Sequence, residues 1–151
     1  MVFREASADD IPALSEIRFS VSENILSDPR KVPTEMYADY LITSGKGWLC
    51  EVDGEAVGFI VASLKDASIW ALFVKPRFEG RAVGTTLLRL ATGWLFDMGA
   101  SSISLNTDAN TRADRFYESQ GWKRGETKSD GEVNYRLDRS GERSGRTTRS
   151  V

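Results

Sequence analysis

NTRADRFYESQGW, residues Asn110 to Trp122, reads as one helix and its stop. Ala113, Phe116, Tyr117 and Gln120 recur at helical spacing and align on one face, which predicts a helix over 109–120. Gly121 ends it, because glycine reaches the left-handed backbone that closes a helix at no steric cost. The stretch before it, VKPRFEGRAVG, Val74 to Gly84, is a strand end, a proline stop and a polar glycine-bearing turn. That turn opens a long helix in which Val83, Leu87, Leu90, Ala91, Trp94, Leu95 and Met98 keep one face, with Gly99 as the C-terminal cap.

Working outward, Ser102 to Asn106 is a short strand between the two helices. Trp122 to Glu126 and Glu132 to Leu137 form a hairpin across Asp130-Gly131. Upstream, Trp48 to Val52 and Ala56 to Ser63 flank Asp53-Gly54, a strong hairpin signal, and Ser68 to Val74 continues the antiparallel meander. Val2 to Ala6 is a first strand. Asp9 and Asp10 cap a helix carrying Ile11, Leu14, Ile17 and Val21, and the turn formers of Ser22 to Pro33 break it. Thr34 caps a second helix with Met36, Tyr37, Tyr40 and Leu41 on its apolar face, ending at Ser44 and Gly45. The order β-α-α-β-β-β-α-β-α-β-β predicts an α/β (α+β) fold. We expect a single domain over 1–138, with a mixed, mostly antiparallel central sheet flanked by helices.

The chain has 151 residues, no histidine and one cysteine, Cys50. Histidine-dependent triads, zinc sites ligated by histidine or several cysteines, and internal disulfides are thereby excluded. We expect no metal, and acid-base chemistry must fall to Asp, Glu, Tyr, Lys, Cys50, a terminus or water. The net charge of −2 is not that of a nucleic-acid polycation. The tail from Arg139 to Val151 is basic and almost without apolar residues, so it is expected to be disordered, a solvated terminus. No apolar run approaches a bilayer span and the first ten residues carry acids, so a cytoplasmic protein away from membranes is expected.

A helix N-terminus presents unpaired N–H groups and the positive end of its dipole, a ready phosphate site. Gly80, Ala82 and Gly84 permit close approach there, and Arg81 adds a bidentate phosphate partner. A Walker A loop would need Gly-Lys-Ser/Thr, but Gly84 is followed by Thr85 and Thr86. A dinucleotide fingerprint would need G-x-G-x-x-G inside a β-α-β unit, and neither is present.

With Val74-x-Pro76, the Glu79 to Gly84 turn and Asn110-x-x-Ala113-x-x-x-Tyr117-x-x-x-Gly121-Trp122, the chain resembles the GCN5-related N-acetyltransferase (GNAT) superfamily over residues 3–137. The second motif matches fully. In the first, Glu79 stands where Gln or Arg is usual, and Ala82 replaces the first motif glycine. The resemblance implies an acyltransferase with acetyl-CoA as co-substrate, moving acetyl directly, in a ternary complex, to a primary amine of a small molecule or a protein. It implies that the backbone of Leu72, Phe73 and Val74 pairs with the pantetheine arm, one N–H there polarising the thioester carbonyl. The pyrophosphate would sit on Gly80, Arg81, Ala82, Val83, Gly84 and Thr85. Asn110 would hydrogen-bond the pantetheine, and Ala113 and Phe116 would line the cofactor side. Tyr117 would donate a proton to the leaving thiolate.

For the base the candidates are Glu23, in the link that walls the acceptor site in such enzymes, and Glu51, Asp66 and Asp108. Asn24, Trp48 and Trp70 are candidates for shaping the acceptor pocket. Cys50, in a strand, reads as a packed small residue rather than an acyl carrier. The alternative to an enzyme is a non-catalytic acyl-CoA-binding module of the same fold. A third reading, a nucleic-acid binder using the tail, is disfavoured by the charge. A homodimer is expected; the acceptor stays open.

Overall fold

The computed structural model describes residues 1–21 and 34–139. The chain divides into two units, residues 1–94 and 95–151, the division falling inside the long helix α3. The first unit holds β1 (Val2–Glu5), α1 (Ile11–Val21), α2 (Thr34–Ala38), β2 (Gly45–Val52), β3 (Glu55–Ser63), β4 (Ser68–Val74) and most of α3 (Val83–Asp97). Its strands lie in the order β1-β2-β3-β4, each pair antiparallel. Asp53 and Gly54 both take left-handed backbone, φ 51° and 81°, and turn β2 into β3. That pair matches the right-handed twist of two antiparallel strands.

The start of α1 differs in its chemistry from the expectation. Neither Asp9 nor Asp10 is the cap; Ser7 is the extended residue, and its N–H donates to the Asp10 carboxylate at 2.8 Å. A short 3-10 turn, Ala8–Asp10, then leads into α1, where Pro12 falls in the first turn and needs no N–H partner. Ile11, Leu14 and Ile17 pack with Tyr37, Leu41, Leu49, Phe59, Val61 and Ala71 in the core of this unit. After α2 the chain widens into one π-helical turn, Asp39–Thr43, which buries Leu41.

β2 begins at Gly45, earlier than the expected Trp48. Gly45 reads as a helix stop, yet it pairs with Ser63, and a Cβ on it would stand 1.8 Å from the Ala62 carbonyl oxygen. Glycine is there for close backbone approach, not to stop a helix. On β4, Ala71 pairs with Val61 and Ile69 with Ala62, leaving Trp70 as an extra, bulged residue. A bulge turns its residue toward its neighbour's face, and Trp70 accordingly packs with Ala71 and Phe73 against the α1/α2 core.

In α3 the expected Val83, Leu87, Ala91 and Leu95 are buried, and the stripe extends to one side of them. Leu88 and Phe96 are buried, whereas Leu90 lies at the stripe's edge, 37% exposed, and Met98 follows the last helical residue, 53% exposed. The second unit holds β5 (Ser102–Asp108), α4 (Arg112–Ser119), β6 (Lys123–Thr127) and β7 (Glu132–Asp138). Its strand order is β5-β7-β6, antiparallel throughout, with Val133 and Tyr135 of β7 fully buried. Gly99, at φ 107°, ends α3: its N–H donates to Phe96 O and the Ala100 N–H to Leu95 O, both at 3.0 Å. This is a Schellman cap.

Arg139, expected to begin the disordered tail, is tied down instead. Its guanidinium donates to the Phe96 and Ala100 carbonyls, its N–H to Ser101 O at 2.9 Å, and it stacks on the Phe96 ring. A cation there satisfies carbonyls at the negative end of α3. Residues 140–151 lie outside the described residues. The order of helices and strands is the expected one, an α/β arrangement with mostly antiparallel strands flanked by helices. No helix among the described residues is long and apolar enough to cross a membrane.

Candidate active site

In the first unit the expected cofactor-facing residues lie along one strand-turn-helix. The Lys75 N–H donates to Val57 O at 2.8 Å, toward β3. Backbone groups alternate sides along a strand, so Phe73 also faces β3, while Leu72 and Val74 present N–H and C=O away from it. The three residues named from sequence are thus not equivalent: only Leu72 and Val74 have backbone free of β3. After β4 a short turn, Pro76–Phe78, buries Phe78, whose ring is flanked by the guanidinium groups of Arg77 at 5.0 Å and Arg81 at 5.4 Å. Glu55 holds the turn from outside, accepting from Lys75 at 2.9 Å and from Arg77 at 3.1 Å.

Gly80 and Ala82 both take left-handed backbone, φ 81° and 67°, turning the chain into α3. The Ala82 carbonyl accepts from Thr86 N–H at 3.0 Å, closing the first helical turn. The N–H groups of Val83, Gly84 and Thr85 then have no carbonyl within the helix to reach. The first turn of α3 carries no acid to answer its dipole, Arg81 is exposed, and nothing lies within 4 Å of where a Gly80 Cβ would be. Val83 is buried, 3.0 Å from the position a Cβ on Gly58 would take, so glycine at 58 lets the start of α3 approach β3. This open turn, with Glu79 before it and Arg81 within it, leaves N–H groups at the helix start that fit the phosphates of a coenzyme.

In the second unit, α4 starts at Arg112, not at Ala109. Asn110 has left-handed backbone, φ 64°, and Thr111 is the cap, its Oγ1 accepting from the Asp114 N–H at 3.2 Å. Asparagine tolerates that conformation, so its side chain projects from a turn, exposed, rather than from a helix face. The Asp114 carboxylate, 5% exposed, accepts from Asn110 N–H at 2.7 Å, from Arg124 through two N–H groups at 2.9 Å, and from the Tyr135 hydroxyl. The Arg124 guanidinium, then Tyr135, then the Asn110 N–H hold this carboxyl well below the usual carboxylate range. Sequence reading missed this network; the signal present was the Thr111-x-x-Asp114 capping spacing.

Tyr117 is 6% exposed, its ring among Phe116 at 5.2 Å, Tyr135 at 5.7 Å and Trp122 at 5.8 Å. Burial pushes its phenol up, which keeps the hydroxyl protonated. Ala113 and Phe116 are half-buried beside it on α4. Cys50 is fully buried, and desolvation raises its thiol, the opposite of an activated nucleophile.

Of the candidate bases and acceptor residues, Glu23 and Asn24 lie outside the described residues. Glu51 is paired with Arg4 at 3.0 Å, the Asp66 N–H meets the Ser63 hydroxyl at 3.5 Å in the β3–β4 turn, and Asp108 ends β5. Trp48 packs edge-on with Trp94, apart from the cluster around Trp70. That cluster, also missed from sequence, joins α1, α2 and β4. Trp70 stacks on Tyr40 at 4.5 Å and meets Tyr37 edge-on at 5.3 Å. The Arg18 guanidinium lies over Phe73 at 4.8 Å and Trp70 at 5.9 Å. Among the described residues, two polar atoms here are buried without a hydrogen-bond partner, Arg18 Nη1 and the Tyr37 hydroxyl. Burial pushes the Tyr37 phenol up, with the Arg18 charge and the Arg18 and Ser15 side chains opposing it, so this hydroxyl stays protonated.

The fold is α/β, with a left-handed turn leading from a strand into an anion-ready helix start. The acetyltransferase (GNAT) family model matches residues 12–122, and the chain belongs to that family. An uncharacterized N-acetyltransferase of Archaeoglobus fulgidus is 30% identical over 146 aligned residues, spanning 87% of this chain and 99% of that protein. Among solved structures, the PaiA N-acetyltransferase of Thermoplasma acidophilum, in complex with coenzyme A, superposes with a TM-score of 0.78 at 19% identity, over 91% of this chain and 98% of the other. The ribosomal-protein-S18-alanine N-acetyltransferase of Escherichia coli gives 0.73 at 17% identity, over 91% and 92%. The family's chemistry is acetyl transfer, and the fold is the one its solved members share.

Proposed function

We propose that this protein transfers acetyl from acetyl-CoA to a primary amine in a ternary complex. The observation that carries the reading is the turn from β4 into α3. Left-handed Gly80 and Ala82 bring the N–H groups of 80–85 to a helix start that has no acid of its own. In this reading residues 80–85 hold the pyrophosphate, with Arg81 beside it, and the backbone of Leu72 and Val74 takes the extended pantetheine. The exposed Asn110 side chain serves the pantetheine, with Ala113 and Phe116 on the cofactor side.

The amine nitrogen attacks the thioester carbonyl, forming C–N, and the carbonyl oxygen takes the negative charge. A backbone N–H of Leu72 or Val74 stabilises that oxyanion. The C–S bond then breaks, the nitrogen loses its proton to a carboxylate or water, and the departing sulfur receives a hydrogen bond from the Tyr117 hydroxyl. The experiment is a screen of thiol release from acetyl-CoA over diverse amines. Release with one amine class supports the transferase; tight acetyl-CoA binding with no release from any amine replaces it with a binding module.

A further inference from the structure

The two buried polar atoms without partners, Arg18 Nη1 and the Tyr37 hydroxyl, belong to one cluster on α1, α2 and β4. The guanidinium can only donate, whereas the Tyr37 hydroxyl can donate or accept; both lie in one cluster, yet among the described residues neither atom has a partner at normal hydrogen-bond distance. Arg18 spends its flat face on the rings of Phe73 and Trp70. Stacking of that kind leaves the in-plane N–H fork, which matches a carboxylate edge to edge. Among the described residues no carboxylate pairs with Arg18; Glu16, on the same helix, lies 3.7 Å from Lys75. Tyr37 is only 1% exposed, so its hydroxyl is not a surface group waiting for bulk water. Water would answer one hydroxyl, but a permanent cation with a buried, unpaired N–H beside it calls for negative charge. The cluster also adjoins β4 through Phe73, the neighbour of the two residues whose backbone faces away from β3.

We propose that the acceptor amine carries a carboxylate, seated on the Arg18 guanidinium and the Tyr37 hydroxyl. The inference rests on the acetyltransferase reading and gives it a substrate class: small amino acids or other carboxylated amines, in preference to polyamines.

The test uses the full chain and matched pairs of probes. Calorimetry compares N-acetylglycine, N-acetylglutamate and N-acetylphenylalanine with their neutral amides, in the presence of coenzyme A. At least one acid should bind tenfold or more tightly than its amide, and Arg18→Gln should erase that preference. Tyr37→Phe should narrow it, with circular dichroism confirming that both variants fold. Equal binding of every acid and its amide overturns the inference, as does a preference that survives Arg18→Gln. Thiol release from acetyl-CoA is followed in parallel with the free amino acids, their amides and a polyamine. Turnover without preference for the acid leaves the transferase and removes the carboxylate seat. Acid-selective binding without turnover of any amine keeps the seat and removes the transferase.

Discussion

The Tyr117 side chain is at once a core residue and the proposed proton donor. Because burial raises its phenol, full proton transfer to a thiolate, whose ordinary thiol pKa is about 8.5, is uphill. In the proposed reaction the hydroxyl would therefore act by hydrogen bonding to the departing sulfur, which is the weaker form of acid catalysis. Tyr117→Phe keeps the ring contacts and should lower kcat about 10- to 100-fold while acetyl-CoA affinity stays within about twofold. Unchanged turnover in that variant would remove Tyr117 from the chemistry. Ala82 poses a different question at the same scale. Its left-handed backbone costs a residue with a Cβ about 1–2 kcal/mol, against about 0.5–1 kcal/mol of extra chain entropy lost by glycine. Ala82→Gly should thus gain up to about 1.5 kcal/mol, seen as a higher urea midpoint; a loss of stability would mean that the turn is not strained by its alanine.

At the scale of elements, Asp114 joins the start of α4 to β6 and β7. Its carboxyl is held low in the fold, so its contribution is fully present above the ordinary carboxylate value of about 3.9 and is lost as pH falls through that value toward the native one. Asp114→Asn should cost about 2–3 kcal/mol at pH 7, and the gap to the parent should shrink on acidification to pH 3. Equal gaps at both pH values, measured by urea unfolding, would contradict that role. Gly45→Ala drives a Cβ into the Ala62 carbonyl and should cost about 2–4 kcal/mol by the same assay. These elements also mark where sequence reading stopped. Hairpins at Asp53-Gly54 and Asp130-Gly131, the α1 stripe and the Gly99 cap were legible because each is written locally, in turn chemistry or periodicity. The early start of β2 was not, since Gly45 carries a long-range constraint from Ala62 that resembles a helix stop. Asn110 was read into a helix because its motif spacing continues α4, whereas the conformation is set by the Thr111 cap. Arg18 and Tyr37 lie on different elements, and no local pattern announces that their side chains converge.

For the molecule as a whole, the absence of histidine and the burial of Cys50 constrain the kinetic mechanism together. A covalent acyl-enzyme needs an exposed nucleophile with a lowered pKa or a neighbouring base. Cys50 is fully buried with its thiol pushed up, and there is no histidine to activate a hydroxyl. Both facts favour the proposed direct transfer, in which the amine itself would attack while both substrates are bound, with the activation supplied by the thioester and the oxyanion held by backbone. Such an enzyme gives intersecting lines in double-reciprocal plots of rate against acetyl-CoA at several amine concentrations. Coenzyme A should inhibit competitively against acetyl-CoA. Cys50→Ala should retain its turnover, paying only the packing cost of a small buried side chain, about 1 kcal/mol. Parallel lines, together with loss of activity in Cys50→Ala and a trapped acetyl-protein after mixing with acetyl-CoA alone, would instead require a buried thiol to open and react.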